Sequence, residues 1–226
     1  MIITKQQIAE GYDKIAEKIY VSDTFYNEVM AIEKNWHGAV LDAGCGQAPI
    51  LQKLQDLKFK YGKITRLVGI DISDKLLEMA RQKVPEADII KADIDKMPFA
   101  ENSFDFIVMV DVFQYLLDFG QALAEIRRVL KPGGKFIVTV PNKNWLLFES
   151  YIKRRKNIQP IEDHFFTFNE MAGLLKKYGF GIANYRGADC FRYYAPYHKY
   201  EMWLAVLVPF IHKKMKKIIF KTVKHL

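Results

Sequence analysis

The sequence predicts an α/β fold, a mostly parallel sheet held between layers of helices, and three observations carry that prediction. Short apolar runs recur along the first two thirds of the chain, each stopped by a turn signal or an acidic residue. Segments with helical spacing lie between them. Aspartates fall at or just past the ends of four consecutive runs. Continuous apolar runs of this length suit strands buried on both faces, and their alternation with helices makes a parallel sheet.

Val40-Leu41 opens the first run, which ends at Asp42 and is broken by Gly44-Cys45-Gly46. Run 67–70 ends at Asp71, run 87–90 just before Asp93, and run 104–110 at Asp111. The fifth, 135–140, is stopped by Pro141. Between these, 74–81 follows Ser73, a residue suited to an N-cap, and Pro85 comes after its end. Residues 122, 123, 126, 129 and 130 are apolar at helical spacing and precede Lys131-Pro132-Gly133-Gly134. A further helix is expected to start near Asn169, and a sixth strand to cover about 180–185.

The carboxyl ends of parallel strands form one rim, where ligands bind at the point at which strand order reverses. Asp42, Asp71, Asp93 and Asp111 therefore share a rim. Each alone reads first as a solvated cap or turn residue, but four at equivalent places in successive units define a binding edge. The loop Val40-Leu41-Asp42-Ala43-Gly44-Cys45-Gly46-Gln47-Ala48 lets a ligand approach the backbone closely. A dinucleotide fingerprint fails here because its third glycine would fall at Pro49, and no Gly-Lys-Ser/Thr follows to make a P-loop. The carboxylate before the loop would repel a pyrophosphate but tolerates a cationic sulfonium or amino group.

Composition narrows the field. A chain of 226 residues suits one domain with a sizeable core. No apolar run is long enough to span a membrane, no secretory leader is recognisable, and two cysteines suggest neither a disulfide framework nor a metal site. A cytoplasmic location is the default expectation. The net charge is +8, but seven lysines against one acidic residue lie from Lys199 onward, so the rest is near neutral. That argues against a broad nucleic-acid-binding face, and no nucleic-acid partner is expected.

The same residues carry a family resemblance. The glycine loop followed by Val68-Gly69-Ile70-Asp71-Ile72-Ser73 closely resembles the first two motifs of class I S-adenosylmethionine-dependent methyltransferases. Lys91-Ala92-Asp93-Ile94 with Met97-Pro98-Phe99, then Ser103-Phe104-Asp105-Phe106-Ile107-Val108, resemble the next two. Arg127-Arg128-Val129-Leu130-Lys131-Pro132-Gly133-Gly134 is similar to the signature leading into the fifth strand, and Tyr12-Asp13-Lys14-Ile15-Ala16 to the N-terminal motif of the ubiquinone/menaquinone-biosynthesis-like group. The resemblance covers residues 11 to about 142. It implies a Rossmann-like three-layer sandwich whose seven-stranded, mostly parallel sheet ends in an antiparallel strand. It implies S-adenosylmethionine as cofactor and transfer of its methyl group to a small-molecule acceptor. Residues 1–36 would form an N-terminal helical cap, 37–142 the cofactor-binding core, and 143–226 the acceptor lid and last strands of a single domain.

By the same resemblance, Asp42, Ala43, Gly44 and Gly46 cradle the methionine part of the cofactor and Asp71 accepts both ribose hydroxyls. Ile72 and Leu76 pack near the adenine, while Asp93 and the Ile94 backbone N–H meet its polar edge. Val110 and Asp111 line the methyl-donor side, and Tyr12 closes over the amino-acid end. Two positions depart from the pattern: Ala48 stands where the family has a third loop glycine, and Gln114 replaces a common histidine. A base is needed only if the acceptor must lose a proton. Asp111 and His164 are the catalytic candidates, with Tyr12 and Tyr115 more remote; the plainer readings, Asp111 as a rim hydrogen-bond acceptor and His164 as a loop residue bonded to the chain, come first for both.

Residues 143–161 (Trp145, Phe148, Tyr151 and the basic 153–156) and the aromatic-rich 187–203 are expected to form a lid over the acceptor, of quinone, lipid or sugar type. Residues 211–226 read alone as a basic amphipathic helix for peripheral membrane contact. The family fold instead requires 217–223 as its last strand, with 202–210 as a helix before it. Two readings of another class stay open: a non-catalytic cofactor-binding partner or sensor, and an NAD-dependent oxidoreductase.

Overall fold

The computed structural model describes residues 3–19, 23–144, 163–188 and 217–225. Helix α1 (Lys5–Ile15) and α2 (Asp23–Met30) precede the sheet, with a short 3-10 turn, Ala16–Lys18, between them. The strands are β1 (Gly38–Ala43), β2 (Ile64–Asp71), β3 (Asp88–Lys91), β4 (Phe104–Met109), β5 (Leu130–Pro141), β6 (Phe180–Ala188) and β7 (Lys217–Lys224). Helices α3 (Pro49–Tyr61), α4 (Asp74–Lys83) and α5 (Phe119–Val129) connect the first five, and α6 (Phe168–Lys177) leads into β6.

The seven strands lie in the order β3-β2-β1-β4-β5-β7-β6, and β7 alone runs antiparallel to its neighbours. This is the expected Rossmann-like three-layer arrangement. Alternation along each strand sends side chains to two cores. Leu41, Val68, Ile107 and Val138 meet Leu123 and Ile126 of α5 and Met171 of α6 on one face. Val40, Leu67, Val108 and Ile137 meet Val29 of α2, Leu51 of α3 and Leu77 of α4 on the other.

Local signals explain most boundaries. Ser73 caps α4, its side chain accepting from the Leu76 N–H, and Asp118 caps α5 by accepting from Gly120 and Gln121. Thr167 and Glu170 form a reciprocal capping box at α6. Two boundaries and one whole helix stand out among the departures from expectation. Helix α5 begins at Phe119, because Asp118 supplies a cap upstream of the periodic residues. Strand β5 begins at Leu130, its register shifting around Pro132-Gly133-Gly134 before Lys135 rejoins β4. Helix α3 goes beyond the expected segments, although Ile50, Leu51, Leu54 and Leu57 carry helical spacing.

The contest over the tail is resolved for 217–224: this segment is a strand. It pairs from Lys135↔Val223 to Pro141↔Lys217 with β5 and from Phe180↔Lys224 to Ala188↔Lys217 with β6. Ile218 and Phe220 enter one core and Ile219 the other, an alternation no helix permits. The expected lid aromatics at 145–151 and 189–203, the basic run 153–156 and the helix over 202–210 lie outside the described residues. Among the described residues no helix is long and apolar enough to cross a membrane.

Candidate cofactor site

Strand order reverses between β1 and β4, so the loop after β1 opens at the switch point of the sheet. The N–H groups of Gly44 and Cys45 both donate to the Ile70 carbonyl, at 2.8 and 2.9 Å, folding the loop back onto β2. Gly44 has φ +80°, and a Cβ built there would stand 2.4 Å from Val112 Cγ2. Gly46 has φ +51° with open space where its Cβ would be. The loop thus needs glycine once for close packing and once for a left-handed backbone beside room for a ligand. Ala48 also adopts the left-handed region, φ 63° and ψ 37°, immediately before Pro49 begins α3. The replaced third glycine therefore carries backbone strain as well as a methyl group.

The rim aspartates stand in the spatial order Asp93, Asp71, Asp42, Asp111. Asp42 is 2% exposed, and no described residue hydrogen-bonds its carboxyl. Burial, and then the neighbouring Asp71, push its pKa up to about 8. The Asp71 carboxylate accepts the Gly46 N–H at 2.9 Å through Oδ2 and the Ser73 N–H at 3.0 Å through Oδ1. Burial raises its pKa, while these backbone donors and that of Ile72 oppose the rise. A carboxylate offers about four acceptor sites, so lone pairs stay available to a ligand's hydroxyls.

The flanking pair is differently placed. Asp93 accepts from Lys5 of α1 at 2.5 Å and from the Asp95 N–H at 3.0 Å, and Lys5 also pairs with Asp95. Asp111, at φ 58°, is ion-paired with Lys217 at the start of β7 and held by Thr139, whose hydroxyl accepts the Asp111 N–H at 2.9 Å. The Lys217 ammonium also stands 4.0 Å from the centre of the Phe25 ring.

Leu76, Ile94 and Val110 are buried near the rim, and Ile72 is half-buried. Ala43 is fully buried at the end of β1. Tyr12 meets Tyr115 edge to face, ring centres 5.9 Å apart, and its buried hydroxyl has no hydrogen-bond partner among the described residues. Burial pushes the Tyr12 pKa up, and the charges of Asp163, Asp71 and Asp111 add to the rise. The expected site residues on α1, β1, β2 and the ends of β3 and β4 are thus brought to one edge of the sheet.

His164 is the exception. Its backbone N–H donates to the Gln114 carbonyl at 3.1 Å, and its exposed ring packs on Phe119 and Phe166, centres 5.2 and 4.6 Å away. No hydrogen bond or ring contact among the described residues joins that ring to Asp111 or the loop. Of the two readings of this histidine, the geometry favours the loop residue bonded to the chain.

Several residues outside the expected set position the site. Asp13 accepts from Ser73 Oγ at 2.5 Å and from the Lys75 N–H at 3.1 Å, while the Ala16 carbonyl accepts from Gln47 Nε2 at 2.7 Å. Lys83 donates to Gln47 Oε1 at 2.9 Å. The Tyr12-Asp13-x-x-Ala16 motif therefore ties α1 to the start of α4 and to the glycine loop. Lys5 and Lys217 carry no local signal, because each acts across a long stretch of sequence. Among the described residues no group of acidic, histidine and cysteine side chains could hold a metal ion.

At the switch point of a Rossmann-like sheet the chain sets a glycine loop, a buried carboxyl that no described residue hydrogen-bonds, and a carboxylate held by backbone N–H groups one strand away. Comparison with known proteins makes the class specific. Residues 41–138 match the family model described as a methyltransferase domain. A demethylmenaquinone methyltransferase of Listeria welshimeri is 30% identical over 177 residues, 72% of either chain. A probable S-adenosylmethionine-dependent methyltransferase of Mycolicibacterium smegmatis is 28% identical over 148 residues, 66% of this chain, which spans about half (54%) of that relative. The fold superposes on an S-adenosylmethionine-dependent methyltransferase of Thermotoga maritima with a TM-score of 0.71 at 18% identity, covering 96% of this chain and 99% of the other. The chain belongs to the class I S-adenosylmethionine-dependent methyltransferase family, a family of enzymes whose cofactor is S-adenosylmethionine.

Proposed function

We propose that this protein methylates a small, flat, quinone-type acceptor bound beside the cofactor at the β1–β4 switch point. The observation that carries the cofactor half of this reading is Asp42, a buried carboxyl that no donor among the described residues satisfies. Burial of such a group is costly unless a ligand partners it, and the ammonium of a bound methionine moiety is a fitting donor. The quinone half draws on the Listeria relative, whose name states a menaquinone precursor as its substrate, and on the tyrosine pair beside the rim.

When bound, S-adenosylmethionine supplies a methyl group on a sulfonium that departs as a neutral thioether. The chain's own residues bind and orient. Asp42 and the backbone around Gly44 and Gly46 hold the amino-acid end under Tyr12. Asp71, pinned by Gly46 and Ser73, accepts from the ribose. Ile72, Leu76 and Ile94 wall the adenine, with Asp93 at its edge, and Val110 excludes water from the donor side. Fixing two reactants in line can supply up to about 7–11 kcal/mol of the barrier, so no covalent role for the protein is required. Asp111, already held by Lys217 and Thr139, orients rather than removes a proton.

Calorimetric titration with S-adenosylmethionine, S-adenosylhomocysteine and NADH tests the cofactor half; binding of the nicotinamide alone would sink it. Incubation of methyl-labelled cofactor with quinone, lipid and sugar fractions tests the acceptor. Label is expected in the quinone fraction, and its appearance only in the others would refute that choice. Cofactor binding without label in any fraction would favour the sensor.

A further inference from the structure

The end of α1 is anchored on, or next to, the two residues whose N–H groups hold Asp71. Ser73 donates its N–H to Asp71 Oδ1 at 3.0 Å, and Gly46 donates its own to Oδ2 at 2.9 Å. Ser73 also gives its hydroxyl hydrogen to Asp13 Oδ1 at 2.5 Å, and the same hydroxyl accepts the Leu76 N–H at 3.2 Å. Gln47, the neighbour of Gly46, donates through Nε2 to the Ala16 carbonyl at 2.7 Å and accepts from Lys83 through Oε1 at 2.9 Å. Ser73 is fully buried and Gln47 nearly so, which leaves little water to stand in for a lost partner.

Both contacts of Asp13, with the Ser73 hydroxyl and with the Lys75 N–H at 3.1 Å, fall on its Oδ1. They need one oxygen with two lone pairs, which an amide oxygen also supplies. Without that oxygen a buried hydroxyl hydrogen loses its acceptor among the described residues, at a cost of about 1–3 kcal/mol if Ser73 stays in place. Ser73 is thereby driven to shift, and the N–H that holds Asp71 shifts with it. Charge works the other way. Burial raises the Asp71 pKa, the backbone donors oppose that rise, and the Asp13 charge adds to it. A side chain that repels Asp71 and yet fixes one of its donors contributes by geometry.

We propose, resting on the cofactor reading above, that Asp13 is a positioning residue for Asp71: its hold on Ser73 aims the carboxylate at the ribose hydroxyls. Ala16 supports the other Asp71 donor through Gln47 and the glycine loop. Seating the end of α1 and reading the ribose are therefore one event, and a ligand that lacks a ribose hydroxyl gains less from a seated α1. Lys5 ties the start of the same helix to Asp93, at the end of the next strand outward, and takes no part in aiming Asp71.

The test titrates the full chain calorimetrically with S-adenosylhomocysteine and with its 2′-deoxyribose counterpart, and reads the ratio of the two affinities. The wild-type chain is expected to bind the complete ribose about tenfold more tightly, the worth of one hydrogen bond to a charged acceptor. Asp13→Ala should cut that preference to about twofold or less. Neither hydrophobic core contains a described residue of α1, so this variant should fold. Asp13→Asn, which keeps the Oδ1 acceptor, should hold the preference within about twofold of wild type. Lys5→Met loosens the start of α1 and should leave the ratio unchanged, whatever it does to each affinity. A merely structural role for Asp13 would weaken both probes alike, so an unchanged ratio in Asp13→Ala would overturn the proposal. A fall in Asp13→Asn as deep as in Asp13→Ala, or an equal fall in Lys5→Met, would do the same. A wild-type chain indifferent to the missing hydroxyl would overturn it together with the ribose role of Asp71. Failure to bind S-adenosylhomocysteine at all would instead strike the cofactor reading beneath it.

Discussion

Asp42 and Asp71 at the centre of the rim, and Asp93 and Asp111 at its flanks, occupy equivalent places at strand ends, yet they differ in what balances their charge. The central pair has no cationic partner among the described residues. Among those residues Asp42 has no donor, and Asp71 leans only on backbone N–H groups. The flanking pair is taken by lysines from elements outside the first five strands, Lys5 of α1 and Lys217 of β7. Strand topology alone makes four similar aspartates; the packing of two remote segments divides them into two open positions and two occupied ones. The open positions are where a cationic, hydroxyl-bearing ligand has most to contribute, and the occupied ones fasten the edges of the site.

The largest effect that would sharpen this contrast is expected at Asp42. Asp42→Asn should weaken S-adenosylmethionine binding by about ten- to a hundredfold, the range for losing a charged hydrogen-bond acceptor, read by calorimetry. The same change should leave the ligand-free protein as stable as before or more so, because it removes a buried carboxyl with no partner. The pH dependence follows. The Asp42 pKa lies near 8 in the folded chain against an ordinary 3.8, so the folded state keeps a proton that the unfolded state has released. Stability from this group is full below about pH 4 and is lost as pH rises toward about 8. Thermal melts of the ligand-free protein across that window should slope downward, and Asp42→Asn should flatten them.

Next comes the loop itself. Gly44→Ala meets both a φ of +80° and the Val112 side chain 2.4 Å away, so a loss of about 1–3 kcal/mol is expected in urea unfolding. Gly46→Ala meets only the penalty of a left-handed backbone and should cost about 1–2 kcal/mol, at or below the low end of the Gly44→Ala loss. Equal losses at the two glycines would show that packing against Val112 is not what the first one serves.

At the flanks, Lys217→Met strips Asp111 of its cation in a pocket where the lysine side chain is 15% exposed. A loss of about 1–2 kcal/mol is expected, with cofactor affinity nearly unchanged. Lys5→Met should do least. The Lys5 and Asp93 side chains are both more than a third exposed, and although Asp95, the second partner, is 7% exposed, the loss should stay at about 1 kcal/mol. Cofactor association, followed by stopped flow, should quicken as α1 loosens from the adenine edge. A Lys5→Met effect as large as that of Asp42→Asn would erase the distinction between centre and flank.

What the chain reveals by pattern is what depends on neighbours in sequence. The apolar runs 40–42, 67–70 and 104–110, the Ser73 cap and the glycine loop are local features, and each stands where its pattern puts it. Ala48 shows the limit of that reading. As a composition it is a small change from glycine, but its left-handed backbone is visible only once Pro49 starts a helix behind it. The tail shows another limit: apolar residues at 218, 219 and 223 with lysines between them fit a helix or a strand. The unfilled edge of β5 decided it, since a strand there satisfies backbone groups that a helix would leave unpaired.

The sequence by itself determined the parallel sheet, the loop at its switch point and the acidic rim, because short-range periodicity and turn chemistry are enough to set them. Only the tertiary structure decided which aspartates stay open. Lys5 reaches Asp93 across 88 residues and Lys217 reaches Asp111 across 106, and the meeting of the Tyr12 and Tyr115 rings likewise needs separated segments packed together. Charge balance at a buried edge is a property of proximity in space, and no spacing along a chain encodes it.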